Sequence, residues 1–563
     1  MTNTSSQSIM DDAKPETPQS WPLSDATPED VKSLSPEKFK PGWRFLAAFG
    51  SLCIITLMAA LDATSISVAL PVLAKALGGS AIEAFWSGTA FLLTSTVFQP
   101  VLGFFSHIFG RKSLIYVSLV FFLVGSIVPA LAENFTVILV GRSIQGVGGG
   151  GILCLTEMVI VDTVPLRERG NWLSFFGVMW AVGTVVGPLL GGGFAQNVSW
   201  RWVFWINLPF LGVGAIMTTI FLDLNQKHGA FLSKLRQVDW IGMVLFLASM
   251  TGFLIPVTWG GVQYAWDSWR TLVPLIVSAA GLIAFIAYIE FFASNPLIRT
   301  SVFKTKSAAI LYISTVIHGI ILWSILYYLP LYFQAVKGFS PILSGVALFP
   351  WTFTVAPASI GTGIAIAVTG TYRWANRAGW VFTTVGMGLL ILLLPNTSTV
   401  AWVSLNLVGG VGTGVLFPAM ALAVQASATA KDQAYAANMF SFLRAFGQTL
   451  GVAIGGVIFQ NQMRKKMVTF PLLADMAGEY SRDAAGLVKV IQDMPAGKMK
   501  EQLRESYTDA LKYIWIVMLA FSAVALLGSW FVEAYDMNVA NEMEMGFVDK
   551  DRVADVEKKQ PVV

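Results

Sequence analysis

Apolar runs recur along almost the whole of this 563-residue chain, each near the length of about 20 residues with which a helix crosses a bilayer. Because lipid offers no hydrogen bonds to the backbone, such runs are expected to form helices that satisfy their own peptide groups. We count fourteen, starting near residues 45, 85, 113, 135, 172, 203, 239, 271, 308, 341, 378, 400, 434 and 511. The chain is therefore predicted to be an all-α polytopic membrane protein with fourteen transmembrane helices.

Composition supports this class and excludes others. Only 12% of the residues are charged, against about 25% in soluble proteins. The net charge of +4 is small and the basic residues do not cluster, so no nucleic-acid partner is expected. Cys53 and Cys154 lie in apolar runs and are interpreted as small buried hydrophobes, not as disulfide partners.

The loops between the predicted helices carry unequal positive charge. One set of short loops holds about thirteen Lys and Arg residues and the opposite set about four, which by the positive-inside rule places both termini in the cytoplasm. The predicted domains are a disordered cytoplasmic tail at 1–43, a six-helix bundle at 44–222, a linker with two extra helices at 223–300, a second six-helix bundle at 301–533 and a cytoplasmic tail at 534–563.

The second bundle contains a long extracellular segment at 461–509, since long segments cross the membrane regardless of their charge. Its stretch AAGLVKVIQDM is predicted to be either a short amphipathic helix on the membrane surface or an ordered loop. Three N-x-S/T sequons, at Asn134, Asn197 and Asn396, also fall on the predicted outer side. These asparagines are candidate glycosylation sites, although such short motifs are common by chance.

Predicted helix 5 contains a regular glycine spacing. Gly183, Gly187 and Gly191 recur every four residues, which aligns three missing side chains along one helix face. Pro188, in the same run, is expected to bend the helix. A second helix is expected to approach this face to backbone contact, as tight packing in any membrane bundle also requires.

Charged residues inside the predicted helices are few, and each is a functional candidate. Asp62 in helix 1 and Arg142 in helix 4 lie at similar predicted depth, so an ion pair is expected, either purely structural or acting as a proton-linked switch. Glu157, near the inner end of helix 4, is expected either to face the same cavity as Arg142 and carry protons or to extend to the cytoplasmic surface.

A second group of side chains is predicted to line a substrate pocket. Arg444 and Gln448 share one face near the middle of helix 13, and His318 lies mid-helix in helix 9. The candidate aromatic residues of the same pocket are Trp180, Trp323 and Tyr327. Together they suit an aromatic or amphipathic compound. Alternatively, the aromatic residues of helix 9 belong to an outer interface belt.

Other local patterns do not support a catalytic or cofactor site. The run GVGGGG at 146–151 has the dinucleotide-binding spacing but lies in the middle of a predicted span with no preceding strand. The three histidines are scattered and lack metal-ligand spacing. We therefore expect no enzyme activity, no cofactor and no metal.

Five motifs of the first half occur in the order typical of one transporter family. They are LDATSISVALP at 61–71, GFFSHIFGRK at 103–112, GRSIQGVGGG at 141–150, GTVVGPLLGG at 183–192 and WRWVFWINLP at 200–209. On these motifs the chain resembles the fourteen-helix drug:proton antiporter branch of the major facilitator superfamily, and fungal toxin and drug exporters most of all. The second half resembles the family more loosely, through GTYRW at 370–374 and AANMFSFLRAFGQTLG at 436–451.

The resemblance implies two six-helix bundles of inverted repeats, two extra helices and a central cavity that opens alternately to each side. It also implies motif roles for Gly103, Gly110, Arg111 and Lys112 between helices 2 and 3, and for Gln145 and Gly146 in helix 4. One position departs from the family: His107 stands where an aspartate is usual, which bears on how the outward-facing state is locked.

The resemblance and the intramembrane charges together predict proton-coupled efflux of an amphipathic drug, toxin or secondary metabolite, with Asp62, Arg142 and Glu157 as coupling residues. The expected partners are a small-molecule substrate, protons and the lipid bilayer. A monomer in the plasma membrane is expected, with the vacuolar membrane as the alternative location. Two rival functions are uptake or vacuolar transport of a siderophore or basic amino acid, and a non-transporting membrane sensor.

Overall fold

Fourteen long helices form the framework of the chain. The computed structural model describes residues 39, 41–79, 81–225, 230–261, 263–481, 484–538 and 546, so both predicted tails lie almost entirely outside the described residues. The helices are α1 Trp43–Ala76, α2 Ala81–Phe109, α3 Arg111–Ala130, α4 Phe135–Thr163, α5 Arg169–Asn197, α6 Asn207–Phe221, α7 Trp240–Trp259, α8 Trp269–Phe291, α9 Lys306–Leu331, α10 Phe349–Thr369, α11 Arg373–Leu390, α12 Thr399–Ala426, α13 Gln433–Val468 and α14 Lys498–Ser529. The predicted all-α class is confirmed.

By length and apolar composition, 13 helical segments of the described chain are able to cross a membrane. Helix α11 is not among these segments, because Arg373, Asn376 and Arg377 in its first turns lower its mean hydropathy. It nevertheless packs along α12 and α14, as the eleventh predicted span should. The chain is a multi-pass membrane protein.

The two halves repeat one packing pattern. In the first half α1 packs on α5, α2 on α4 and α3 on α4. In the second half α9 packs on α13, α10 on α12 and α11 on α12. Helices α1–α6 are called the first bundle and helices α9–α14 the second bundle. The end of the bundles at which α1 begins is called the predicted cytoplasmic face, and the other end the predicted outer face.

The two extra helices form a hairpin at the junction between the bundles. The ring of Trp240 in α7 lies 6.5 Å from that of Phe105 in α2. On the second bundle, Phe246 in the same helix lies 5.8 Å from Phe442 in α13. Helix α8 packs on α7 and leaves most of its surface exposed, as expected of a helix that faces lipid.

The glycine face of α5 lies directly against α1. A Cβ atom at Gly183 would lie 2.5 Å from Cβ of Ala60, one at Gly187 2.0 Å from Oγ1 of Thr64, and one at Gly191 2.1 Å from the carbonyl oxygen of Ser65. No side chain fits at these three positions. The expected backbone contact is therefore present, and α1 is the helix that makes it.

The predicted extracellular segment at 461–509 is largely helical and not an extended loop. Helix α13 continues to Val468 and α14 begins at Lys498, well before the start predicted near residue 511. Between them the short helix Ala484–Asp493 buries Leu487 and Ile491 against the protein. This stretch is helical, which agrees with one of the two alternatives, and its apolar side packs on the protein. A location at the membrane surface stays a prediction.

Beside this segment, Nζ of Lys337 donates hydrogen bonds to the carbonyl oxygens of Pro395 and Thr397, at 2.7 and 2.6 Å. Partial burial lowers the pKa of Lys337 from its usual value, and the charge of nearby Arg504 lowers it further. The lysine thereby joins the end of α9 to the loop that precedes α12.

Candidate functional site

A cavity lies between the two bundles, with about 680 Å³ of empty space that includes a part open to solvent. Its wall is mostly apolar and aromatic and comes from α5, α9, α10, α12 and α13. The lining residues are Gly177, Trp180, Ala181, Thr184, His318, Leu322, Trp323, Leu326, Trp351, Thr352, Val355, Ser359, Thr413, Phe417, Arg444 and Gln448. Among these described residues, Arg444 alone carries a full charge at neutral pH.

Most of the residues predicted to bind substrate share this wall. Five of the six line the cavity, namely Trp180, His318, Trp323, Arg444 and Gln448. Tyr327 is not among the lining residues, and its ring packs beside Tyr328 with centroids 5.5 Å apart. Tyr327 therefore lies outside the described lining, and substrate contact by any of the six residues stays a prediction.

Sequence reasoning missed the contribution of α10 and α12. Trp351 and Phe417 line the cavity, and both are buried. In the sequence, neither residue is next to an intramembrane charge or within one of the first-half family motifs, so no local pattern distinguishes them from ordinary apolar helix residues. The closeness of Trp351 to Gly409 on α12, where a Cβ atom would lie 2.1 Å from the indole ring, is visible only in the fold.

Glu157 and Arg444 join the two bundles beneath this wall. Nη2 of Arg444 on α13 donates to Oε1 of Glu157 on α4 at 3.0 Å. Both residues are buried, with 8% and 5% of their surface exposed. Glu157 therefore does not extend to the surface, and it pairs with Arg444 and not with Arg142. The predicted extension to the cytoplasmic surface is wrong, and neither Glu157 nor Arg142 is among the residues that line the cavity. Proton carriage by Glu157 stays a prediction.

Asp62 and Arg142 form a second ion pair inside the first bundle. Nη1 of Arg142 donates to Oδ2 of Asp62. Oδ1 of Asp62 accepts from Nδ2 of Asn207 and Nε2 of Gln145, both at 2.8 Å. Nε of Arg142 donates to the carbonyl oxygen of Ser87 at 3.0 Å. The expected pair is present, and Asn207, whose role was not anticipated in WRWVFWINLP, belongs to it.

This network is separate from the cavity. Asp62, Arg142, Gln145 and Asn207 are each at most 1% exposed, and none of them lines the cavity wall. The guanidinium of Arg142 also lies 4.5 Å from the centroid of the Phe91 ring. An arrangement so fully paired and enclosed favours a structural role over direct contact with substrate.

The motif between α2 and α3 lies at the predicted cytoplasmic face. Nε of Arg111 pairs with Asp162 on α4 at 2.8 Å, and its Nη2 lies 3.2 Å from Nδ1 of His107. Gly110 adopts φ 96°, a left-handed conformation that favours glycine. At Gly103 a Cβ atom would lie 2.1 Å from Nδ2 of Asn438 on α13. This motif is therefore in direct contact with the second bundle.

Lys112, the last residue of this motif, faces away from the second bundle. Its Nζ donates to the carbonyl oxygen of Thr219 near the end of α6 at 3.1 Å. The lysine therefore fixes the start of α3 within the first bundle, and the contacts across the junction come from the other motif positions.

Further contacts join the bundles at the same face. Nη1 of Arg169 donates to Oε1 of Gln433 at 2.7 Å and of Gln425 at 3.1 Å. Oγ of Ser174 donates to the carbonyl oxygen of Ser359 at 2.9 Å. These contacts, which the sequence did not indicate, hold the bundles together between the cavity and the predicted cytoplasmic face.

The glycine run at 146–151 packs helices. A Cβ atom at Gly146 would lie 2.4 Å from the carbonyl oxygen of Phe91, and one at Gly150 2.2 Å from that of Ser95, both on α2. At Gly148 it would lie 2.5 Å from the carbonyl oxygen of Ser118 on α3. The glycines of this run therefore allow α4 to pack in backbone contact with both α2 and α3.

The sequon asparagines Asn134, Asn197 and Asn396 are all exposed at the predicted outer face. Oδ1 of Asn134 accepts from the backbone nitrogen of Val137 at 3.0 Å and so caps α4. Glycosylation of these residues stays a prediction.

A family model of the Major Facilitator Superfamily matches residues 52–456. The chain belongs to the major facilitator superfamily. Two solved superfamily structures have the same fold. The proton:xylose symporter XylE has a TM-score of 0.55 at 13% identity, covering 89% of this chain and 98% of its own. The human organic anion transporter MFSD10 has a TM-score of 0.51 at 14% identity, covering 85% and 97%.

Fungal members of the superfamily are similar over nearly the whole chain. "MFS transporter L2" of Phoma sp. is 72% identical, over 99% of this chain and 93% of the relative. "Efflux pump FUS6" of Gibberella fujikuroi is 36% identical, over 93% and 96%. "MFS-type efflux pump LUC4" of Fusarium sp. is 36% identical, over 94% and 96%. This superfamily member is a membrane transporter of small molecules and not an enzyme.

Proposed function

We propose that this transporter exports an amphipathic small molecule in exchange for protons, taking it up from the predicted cytoplasmic face. The carrying observation is the cavity between the bundles, whose one fully charged lining residue, Arg444, is paired with a buried carboxylate of the opposite bundle. The aromatic wall suits an apolar ring system, and the few polar groups suit its polar substituents.

The contacts between the bundles support alternating access. Two bundles of repeated packing line a central cavity, and contacts between them lie on its predicted cytoplasmic side. Opening requires that these contacts, including the Glu157–Arg444 pair, break together. A rocking of one bundle against the other about a fixed site is the motion that such an arrangement supports.

Glu157 is the group that we assign to proton coupling. Protonation removes its charge and with it most of the attraction for Arg444, so the ion pair between the bundles weakens. A proton bound at Glu157 therefore favours separation of the bundles at the predicted cytoplasmic face. The enclosed Asp62–Arg142 network stabilises the first bundle.

Export is favoured over the rival functions by two observations. The described lining residues include no aspartate or glutamate, which a basic amino acid would require as a partner. Relatives at 36% identity over more than 90% of both chains carry the name efflux pump. The plasma membrane is the proposed location.

The test compares metabolites retained by fungal cells with and without the gene, with and without a protonophore. Export predicts that cells lacking the gene retain a compound that the parent releases, and that the protonophore abolishes this difference. A matched strain carrying Glu157→Gln should resemble the deletion, whereas Lys489→Gln, on the exposed surface of the outer segment, should resemble the parent. Equal retention in all strains would contradict the proposal.

A further inference from the structure

A histidine of the cavity wall has a ring nitrogen without a partner. Nε2 of His318 lies 3.3 Å from the carbonyl oxygen of Thr413. Because a carbonyl oxygen only accepts, Nε2 carries the proton and Nδ1 keeps a lone pair. Nδ1 is buried and has no hydrogen-bond partner among the described residues. A buried acceptor left unpaired is costly, which indicates that it is used in another state of the molecule.

Arg444 lies on the same wall and is held in a way that permits it to turn. Its guanidinium lies 4.6 Å from the centroid of Phe417 and 5.4 Å from that of Phe440. Aromatic faces stabilise a cation without occupying its N–H groups. The pairing that fixes the direction of the guanidinium is the hydrogen bond from Nη2 to Glu157.

The backbones that carry these two side chains are in close contact. At Gly319, directly after His318, a Cβ atom would lie 2.3 Å from the carbonyl oxygen of Arg444. At Gly447 a Cβ atom would lie 2.1 Å from the carbonyl oxygen of Val316. Glycine at both positions brings α9 against α13 where His318 and Arg444 both face the cavity.

We propose that His318 is the second partner of Arg444. When Glu157 is ionised, Arg444 pairs with it across the two bundles. When Glu157 is protonated, the guanidinium turns within the second bundle and donates to Nδ1 of His318. The inference rests on the proposed function, in which Glu157 carries the proton, and it makes His318 a positioning residue of the transport cycle.

The exchange replaces a contact between the two bundles, from Arg444 to Glu157, by a contact within the second bundle, from Arg444 to His318. A cation in low dielectric needs a partner, and Nδ1 of His318 supplies one without returning Arg444 to the first bundle. Among the described residues, the thiol of Cys154 lies one turn before Glu157 on α4, and Arg111 at the start of α3 acts electrostatically on the same thiol. No hydrogen bond joins Arg444 to Cys154 in the structure, and the guanidinium of Arg111 cannot accept one. On the cavity wall that carries Arg444, Nδ1 of His318 is a buried acceptor without a partner among the described residues.

The test measures the opening of the predicted cytoplasmic face in the full chain, purified in lipid nanodiscs. Spin labels at Ile220→Cys and Lys431→Cys, both exposed positions near that face, report the distance between the bundles, with Cys53 and Cys154 replaced by alanine. Glu157→Gln mimics the protonated state and should raise the ratio of open to closed molecules. We expect a rise of about tenfold, because the amide oxygen still accepts a hydrogen bond but lacks the charge that roughly doubles its strength.

Adding His318→Phe to Glu157→Gln removes the second partner and should return the ratio towards the parent value. His318→Gln, which keeps an acceptor, should leave the opened population of Glu157→Gln in place. In addition, the chain has 3 histidines, so the ¹⁵N signal of His318 Nδ1 can be assigned. It should move from the position of a free acceptor to that of a hydrogen-bonded one when Glu157→Gln is introduced.

Two results separate the failure of the inference from the failure of the proposed function. If Glu157→Gln opens the face while His318→Phe does not reverse the effect and the ¹⁵N signal is unmoved, the second partner is not His318. If Glu157→Gln changes neither the opening nor the proton dependence of transport, then Glu157 is not the proton carrier and both proposals fall.

Discussion

The imidazole ring of His107 lies flat on the phenol ring of Tyr435, with centroids 3.7 Å apart and ring planes 6° apart. His107 lies in the last turn of α2, and Tyr435 in the first turn of α13, so the stack joins the two bundles. The guanidinium of Arg299 lies 4.1 Å from the same phenol centroid and pairs with Asp432 at 2.9 Å. An aromatic stack thus occupies this position of the motif between α2 and α3, and it joins α2 to α13.

Removal of the phenol ring is expected to loosen the predicted cytoplasmic face. Tyr435→Ala abolishes an aromatic stack worth about 0.5–1.5 kcal/mol, so the ratio of open to closed molecules should rise about two- to tenfold. The spin-label pair at positions 220 and 431 measures this ratio. Tyr435→Phe keeps the ring and serves as the matched control. Equal ratios in parent, Tyr435→Ala and Tyr435→Phe would show that the stack does not hold this face.

The glycine face of α5 provides a test of packing with an internal control. Gly187→Leu places a side chain where a Cβ atom already lies 2.0 Å from Thr64, whereas Gly193 has nothing within 4 Å of its position. Overpacking costs about 1–3 kcal/mol, so Gly187→Leu should lower thermal stability in detergent and abolish transport. Gly193→Leu should change neither. Full activity of Gly187→Leu would show that α1 and α5 separate easily at this point.

How much the sequence could predict depends on how local the signal is. The approach of α1 to Gly183, Gly187 and Gly191 followed from spacing within one helix, and the helix starts followed from runs of apolar residues. The start of α14 was misplaced because its first turns, from Lys498, are polar and lie beyond the apolar run. Charge density alone does not reveal that a polar stretch continues a spanning helix.

The contacts within the candidate site could not be predicted without the three-dimensional structure. Glu157 and Arg444 are separated by 287 positions in the chain, and no periodicity relates residues of different bundles. Their individual candidacy followed from the cost of a charge in the membrane. Their pairing could not be predicted, because counting residues along α4 indicates only that Glu157 and Arg142 face similar directions from that helix. The hydrogen bond from Asn207 to Asp62 could not be predicted either, because an asparagine near the start of a helix has many ordinary roles.

The network around Asp62 is expected to contribute mainly to the folding stability of the first bundle. Asp62→Asn leaves the buried guanidinium of Arg142 without its counter-charge, and breaking a buried pair from one side costs about 3–5 kcal/mol. The thermal unfolding temperature of Asp62→Asn in detergent should therefore be well below that of the parent. The double variant Asp62→Asn/Arg142→Met removes the stranded charge and should recover part of the loss. If Asp62→Asn is as stable as the parent but inactive, Asp62 acts in coupling and not in folding.

The orientation of the chain is tested by two exposed positions on opposite faces. Lys489 lies in the short helix of the outer segment, and Arg236 lies in the linker between the first bundle and α7. With Cys53 and Cys154 replaced by alanine, Lys489→Cys should react with an impermeant thiol reagent in intact cells. Arg236→Cys should react only after permeabilisation, as the positive-inside rule requires. The reverse pattern would invert the proposed direction of transport.

The rings of Trp180 on α5 and Trp323 on α9 lie edge to face across the junction of the bundles, with centroids 5.9 Å apart and planes 71° apart. Both line the cavity, so a substrate with an aromatic ring is expected to contact them together. Trp180→Ala should raise KM for such a substrate about two- to tenfold, because an aromatic contact is worth about 0.5–1.5 kcal/mol. Its kcat should change little, since the contact is made equally before and after the bundles move.

The Trp180→Phe variant keeps a ring, and its KM should lie between those of the parent and Trp180→Ala. Trp43→Phe, at an exposed position on α1, should have the KM of the parent. Transport into inverted vesicles at a series of substrate concentrations separates the two constants. A fall in kcat at unchanged KM would mean that Trp180 acts in the movement of the bundles and not in holding the substrate.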